Sequence, residues 1–208
     1  MLQIETLMRS TCQRTVWIAL GAAVWLAAAS SGLWMLWRWD NAAGAAANAP
    51  ARWPTTSRLK RVDERPTLIL MAHPQCSCTS ASLAELAEVL ARAKSQPTTY
   101  VVFLKPEGVS PDWIEGDLWR TATGLPRVTV LRDEDGTEAL RFGAATSGQT
   151  FLYDSRGTLV FSGGITAARA HAGDNLGRRT ILTALDGDAS SREPSTSVFG
   201  CPLFNSQS

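Results

Sequence analysis

The sequence predicts an α/β domain built on a mixed sheet and carried behind one membrane-spanning helix. Three observations lead there. The run from Val16 to Trp37 carries no charge. Apolar "TLILMA" (67–72) and "TTYVVFL" (98–104) flank a stretch with helical spacing. Two later apolar runs, "TFLY" and "TLVF", are joined by "DSRG", an Asp-x-x-Gly turn that signals a hairpin.

The elements follow in order. Residues 1–15 form a short tail. At about 1.5 Å per residue, residues 16–37 are long enough to cross a hydrocarbon layer of about 30 Å. Trp17 at one end and Trp34, Trp37 and Trp39 at the other suit the two interfaces. A cleaved signal peptide is the rival reading, with Arg9 and Arg14 as its basic part, Trp17–Leu26 as its apolar part and Ala27–Ala29 as its cleavage site. Because the apolar run continues past that site, an uncleaved signal anchor is favoured, and the domain is expected on the far side of the inner (cytoplasmic) membrane, in the periplasm or outside the cell. Residues 38–65, rich in Ala, Asn, Pro and Arg without apolar periodicity, read as a flexible linker.

The folded domain is expected over 66–187. Thr67–Ala72 is too short for a helix and suits a strand buried on both faces. From Thr79 to Lys94 the residues Leu83, Leu86, Ala87, Leu90 and Ala93 share one helical face, and Ser82 followed by Glu85 has the form of a capping box. A strand at Thr98–Leu104 then runs parallel to the first, because a helix intervenes. A weaker helix spans Pro111–Thr123. The second half, with runs at Arg127–Leu131, Thr150–Tyr153 and Thr158–Phe161, is expected to add antiparallel strands, with Gly163-Gly164 ending the hairpin. Asn175–Leu185 is a last helix, and His171 is assigned to the loop before it. The tail, 188–208, is polar to Ser197 but ends in "VFGCPLF" (198–204), which reads as a segment docking back onto the domain.

Length and charge bound the function. At 208 residues and 45% hydrophobic, one core is expected. A net charge of +1, from 20 basic and 19 acidic residues, offers no electrostatic footprint for nucleic acid.

Four cysteines are present. Cys12 precedes the span and is separated from the rest. Cys76 and Cys78 lie where a buried strand hands over to a helix N-terminus, whose free amides and positive dipole end favour thiolate over thiol. The spacing in "CSC" closes a smaller ring than Cys-x-x-Cys would, so a disulfide within it is strained and easily reduced. Three arrangements stay open: a cycling Cys76–Cys78 disulfide, a bridge from one of them to Cys201, or a soft-metal site of Cys76, Cys78, Cys201 and His73. Inert buried cysteines and a turn role for His73 stand beside them.

"TLILMAHPQCSCTSASLAEL", with "VTVLRDEDGTEALRFGAATSGQTFLYDSRGTLVFSGG", resembles the thioredoxin-like superfamily, in particular membrane-anchored extracytoplasmic thiol-disulfide proteins of the cytochrome-c-maturation type. "HPQCSCT", "GGITAARAHAGDNLG" and "VFGCPLF" look closer still to a small bacterial group called RedB-like. The resemblance implies a three-layer sandwich with a redox site on Cys76 and Cys78. It places the superfamily's cis-proline, which shapes the substrate groove and keeps metals off the cysteines, at Gly148. The function it implies is a membrane-tethered thiol-disulfide oxidoreductase acting on protein thiols or disulfides outside the cytoplasm, without a cofactor. Cys76 would attack, Cys78 or Cys201 would resolve, and His73 would tune the thiolate. Copper chaperones of the same superfamily look similar, so Cu(I) binding or delivery by Cys76, Cys78, Cys201 and His73 is the alternative. A non-catalytic interaction domain is the second.

Overall fold

The computed structural model describes residues 2–187 and 195–204, with side chains from residue 13 onward. Two compact units result, Met1–Asn41 and Ala42–Ser208. The first is helix α1, Leu2–Asp40, whose stretch Gln13–Asp40 is long and apolar enough to cross a membrane. Trp34, Trp37 and Trp39 are exposed on it, and Arg38 lies over the Trp34 ring at 4.8 Å. The side chain of Cys12 falls outside the described residues.

The second unit has the mixed sheet that the resemblance implied. Strands β1 (Thr67–Ala72), β2 (Thr98–Lys105), β3 (Val128–Glu134), β4 (Thr150–Tyr153) and β5 (Leu159–Gly163) lie in the order β3-β2-β1-β4-β5. β1 pairs in parallel with β2, Leu70 opposite Val101, and antiparallel with β4, Leu68 opposite Leu152. The β4–β5 turn is the expected hairpin, where the Asp154 carboxylate accepts from the Arg156 and Thr158 amides at 2.8 Å. One expectation is corrected: β3 runs parallel to β2, so only β4 and β5 are antiparallel. The connection from β2 carries a 3-10 turn, Pro111–Trp113, and a short helix α3, Asp117–Thr123, in place of one continuous helix. Such a crossover returns the chain in the same direction.

Alternation along β1 feeds two cores. Leu68, Leu70 and Ala72 pack with Leu83 and Leu86 of helix α2 (Ser77–Arg92) and Ile181 of the last helix. Ile69 and Met71 face the other side, toward Phe142, Phe151 and Tyr153. That side is covered by helix α4 (Thr137–Arg141), which sequence periodicity missed because five residues are too few to show a period, and by two extended segments. The last helix is α5, Leu176–Leu185.

One extended segment is the stretch expected as a flexible linker. From Ala42 on it is laid against the domain. The Gly44 amide donates to Val198 O (2.8 Å), Asn48 to Gly143 O (2.9 Å) and Trp53 to Gly157 O (2.8 Å), while the Tyr100 hydroxyl donates to Lys60 O (2.7 Å). Trp53 sits edge-on to Phe142 and Tyr153, and Leu59 is buried. Single anchors spaced along an extended chain leave no periodic signal, so composition alone reads as a tether. The approach of Asn48 to Gly143 leaves no room for a side chain: a Cβ there would meet Asn48 O at 2.1 Å, and Gly143 holds φ 66. Gly143→Ala is expected to lower the stability of this unit by about 1–3 kcal/mol and to expose residues 42–50 to protease. An unchanged urea midpoint would show the segment to be dispensable.

Candidate functional site: a buried sulfur pair at the head of α2

The end of β1, the start of α2 and the loop before β4 meet at one place. Met71 exchanges backbone hydrogen bonds with that loop, donating to Gln149 O (2.9 Å) and accepting from the Gly148 amide (2.8 Å). The His73 amide donates to Ser147 Oγ (2.8 Å), and Thr79 Oγ1 bonds both His73 O (3.0 Å) and Ser147 Oγ (2.9 Å). This small hydroxyl network fixes the turn from which Cys76 projects. Gly148, where the superfamily's proline was placed, holds φ 89, which a proline ring cannot adopt.

Cys76 is the N-cap of α2, with φ −98 and ψ 119. The helix therefore starts two residues before the expected Thr79, and the Ser82–Glu85 capping box is corrected: both residues lie buried inside the helix. Glu85 instead accepts from Arg178 Nη1 (2.7 Å) and Asn175 Nδ2 (2.9 Å).

The docking expected of the C-terminal tail is observed. Ser147 N donates to Cys201 O and Leu203 N donates to Ala145 O, both at 2.8 Å, and Val198 and Leu203 are buried. Cys201 Sγ thereby comes within 2.9 Å of Cys76 Sγ, the donor being Cys201 when Cys76 is ionised. Cys76 and Cys78 are buried and Cys201 is partly exposed; all three are free thiols.

Their acidities diverge. Burial pushes the Cys76 thiol up, but hydrogen bonds from the Cys201 thiol and from the amides of Cys201, Cys78 and Thr79 outweigh it and hold the thiol below its ordinary value. Cys78 is raised, by burial first and then by the charge of Cys76. Cys201 is pushed up to about 12 by burial, by its hydrogen bond to Cys76 and by the charge there. The arrangement pairs one sulfur whose anion is favoured with two neighbours held toward the thiol, which is what a nucleophile and its reserve thiols need.

His73 is placed otherwise. Its ring stands edge-on to Trp113 at 5.6 Å, Nδ1 accepts from the Gln75 amide (3.2 Å), and burial lowers its pKa. It is not among the groups that shift Cys76. Beside the sulfur pair it lines a cavity of about 790 Å³ with Gln75, Glu107, Trp113, Pro202 and Phe204. Among the described residues no group of three or more His, Cys, Asp or Glu side chains is placed to hold a metal ion.

Sequence reasoning missed Ser147, Thr79 and Arg169. Thr79 could have been found, since it stands where Cys-x-x-Cys spacing would put the second cysteine. Arg169 carried no local signal; its Nη1 donates to Gly200 O (2.9 Å), and its charge lowers the pKa values of Cys78 and Cys201. His171 lies exposed in the loop, as expected.

Comparison with protein families and with curated proteins gave no match. Among solved structures, an uncharacterized conserved protein from Geobacillus kaustophilus aligns at 18% identity over 80% of this chain and 94% of its own, with a TM-score of 0.54. A hypothetical protein from Sinorhizobium meliloti aligns at 21% identity over 78% and 93%, with a TM-score of 0.49. The exposed lipoprotein thioredoxin of Streptococcus pneumoniae aligns at 20% identity over 60% and 86%, with a TM-score of 0.43. The first of these shows a shared fold.

Proposed function

We propose that the protein is a thiol-disulfide oxidoreductase, tethered to the inner membrane by α1 and acting on protein thiols or disulfides outside the cytoplasm, as the RedB-like resemblance implies. The observation that carries this reading is the 2.9 Å approach of Cys201 Sγ to a Cys76 sulfur seated on the amides of a helix N-terminus.

In the reducing direction the Cys76 thiolate attacks a partner's disulfide. A Cys76–partner bond forms, the partner's S–S bond breaks, and one partner sulfur leaves as thiolate to take up a proton. Cys76 is then neutral. Two causes that raise Cys201, its hydrogen bond to Cys76 and the charge on Cys76, vanish together, while Arg169 continues to favour the anion. Burial, the largest cause, still raises Cys201, but its thiolate is now easier to form than before, and it attacks Cys76 Sγ, giving Cys76–Cys201 and the second partner thiol. Two electrons have passed to the partner. The oxidising direction is the same sequence reversed.

Of the two resolving candidates, Cys201, whose sulfur lies 2.9 Å from Cys76 Sγ, is the one assigned. Cys201→Ser in the full chain should therefore accumulate a mixed disulfide on Cys76, readable by non-reducing electrophoresis and mass spectrometry, while Cys78→Ser should turn over. Accumulation in Cys78→Ser and not in Cys201→Ser would reverse the assignment.

A further inference from the structure

The C-terminal strap does more than deliver a thiol. Residues 201–203 run antiparallel to 145–147: Ser147 N donates to Cys201 O, Leu203 N donates to Ala145 O, and Thr146 lies opposite Pro202. The strap pairs with this loop as a short antiparallel bridge, in the manner of an added strand. It is held at several points, by Gly44 N on Val198 O, Arg169 Nη1 on Gly200 O, Thr196 Oγ1 on Gly164 O, and the buried side chains of Val198 and Leu203.

Its sulfur also occupies the approach to Cys76, which is only 1% exposed. An outside polypeptide that brings a sulfur to Cys76 must arrive where Cys201 now sits, and the amide of Ser147 and carbonyl of Ala145 are what an extended arriving chain would pair with. The loop just before Gly148 is where the resemblance already puts the substrate groove, and we infer that residues 195–204 are the chain's own competitor for a partner polypeptide seated there. This rests on the redox reading and names the partner it takes: an extended, cysteine-bearing segment.

The strap also shows what such a segment must look like. At Gly200 a Cβ would meet Ser147 O at 1.9 Å, so the residue before the cysteine has to be glycine or the strand cannot close on the loop. The carbonyl of that glycine is received by Arg169. Two residues after the cysteine, Leu203 enters the core formed by Ile69, Met71, Leu104 and Phe142, so the partner needs an apolar side chain there. A competitor that leaves the loop open for a tenth of the time or less slows capture by about tenfold or more.

The test uses the full chain in detergent micelles, with Cys201→Ser so that captured partners stay on Cys76. Three chains are compared: Cys201→Ser alone, and the same with Gly200→Ala or with Leu203→Asn, two independent ways of loosening the strap. The probes are the peptide Ser-Val-Phe-Gly-Cys-Pro-Leu-Phe as its mixed disulfide with glutathione, the same peptide with valine before the cysteine, and glutathione disulfide. Capture joins Cys76 to the peptide sulfur and releases glutathione thiol, so its rate is read by mass spectrometry. Both loosened chains are expected to capture the glycine peptide about tenfold faster than Cys201→Ser alone, and the valine peptide is expected to lose that advantage. Equal rates in all three chains, or equal rates for the two peptides, overturn the inference and leave the redox reading standing. If Cys76 in none of the chains reacts with any probe, glutathione disulfide included, both readings fall.

Discussion

Cys76→Ser loses thiol-disulfide exchange down to the rate of ordinary exposed thiols, a drop on the order of 10³-fold or more. The size follows from what remains. Cys78 and Cys201 both stay in the variant, yet both are raised by burial, and the amide hydrogen bonds of Cys78 and Thr79 go to Cys76. The loss is measured as reduction of a mixed disulfide by the full chain, with Cys78→Ser as the comparison. The pH profile supplies a second readout. Because the Cys76 pKa is depressed, its thiolate persists at pH values where an ordinary cysteine is already protonated, and it is lost as pH falls through that lowered value. Alkylation of Cys76 should therefore persist below the usual cysteine pKa of about 8.5. Cys201, at about 12, should be alkylated slowly until strongly alkaline pH. Retention of exchange in Cys76→Ser, or alkylation of Cys76 only above the ordinary range, would end the case for a nucleophile at this position.

Arg178→Met should lower the stability of the unit from Ala42 to Ser208 by about 3–5 kcal/mol. The Glu85 carboxylate is buried between α2 and α5, where it accepts from Arg178, from Asn175 and from the Gly173 amide. Asn175 in turn caps α5, its Oδ1 accepting from the Arg178 amide at 2.8 Å. Removing the guanidinium leaves a buried charge with two neutral donors, which is costlier than never having had the pair. Adding Glu85→Met should recover part of the loss and not all of it, because Gly173 and Asn175 then lack their acceptor. The same network anchors the loop that carries Arg169, so Arg178→Met should also slow resolution of the mixed disulfide. Urea unfolding followed by tryptophan fluorescence reads the first effect. A single-variant loss below about 1 kcal/mol would mean that the pair behaves as a surface ion pair.

Local features of this chain were legible from the sequence because their causes are local. "TLILMA" alternates between two cores, is buried at every position and is apolar from Leu68 on; α2 shows its period over four turns; Asp154 and Gly157 build their own turn; and the uncharged run of α1 matches the thickness of a bilayer. The placement of Cys76 and Cys78 at a helix start belongs to the same class, since the amides that favour a thiolate come from the next few residues. Tertiary structure alone decided that Cys201, 125 residues away in sequence, meets Cys76, that Glu85 faces Arg178 instead of capping a helix, that β3 runs parallel, and that residues 42–65 are laid down on the domain. Each of these pairs groups whose sequence neighbours give no sign of the encounter. Which distant residues meet is set by how the whole chain closes its loops around two cores, and that closure is a property of the assembled sheet.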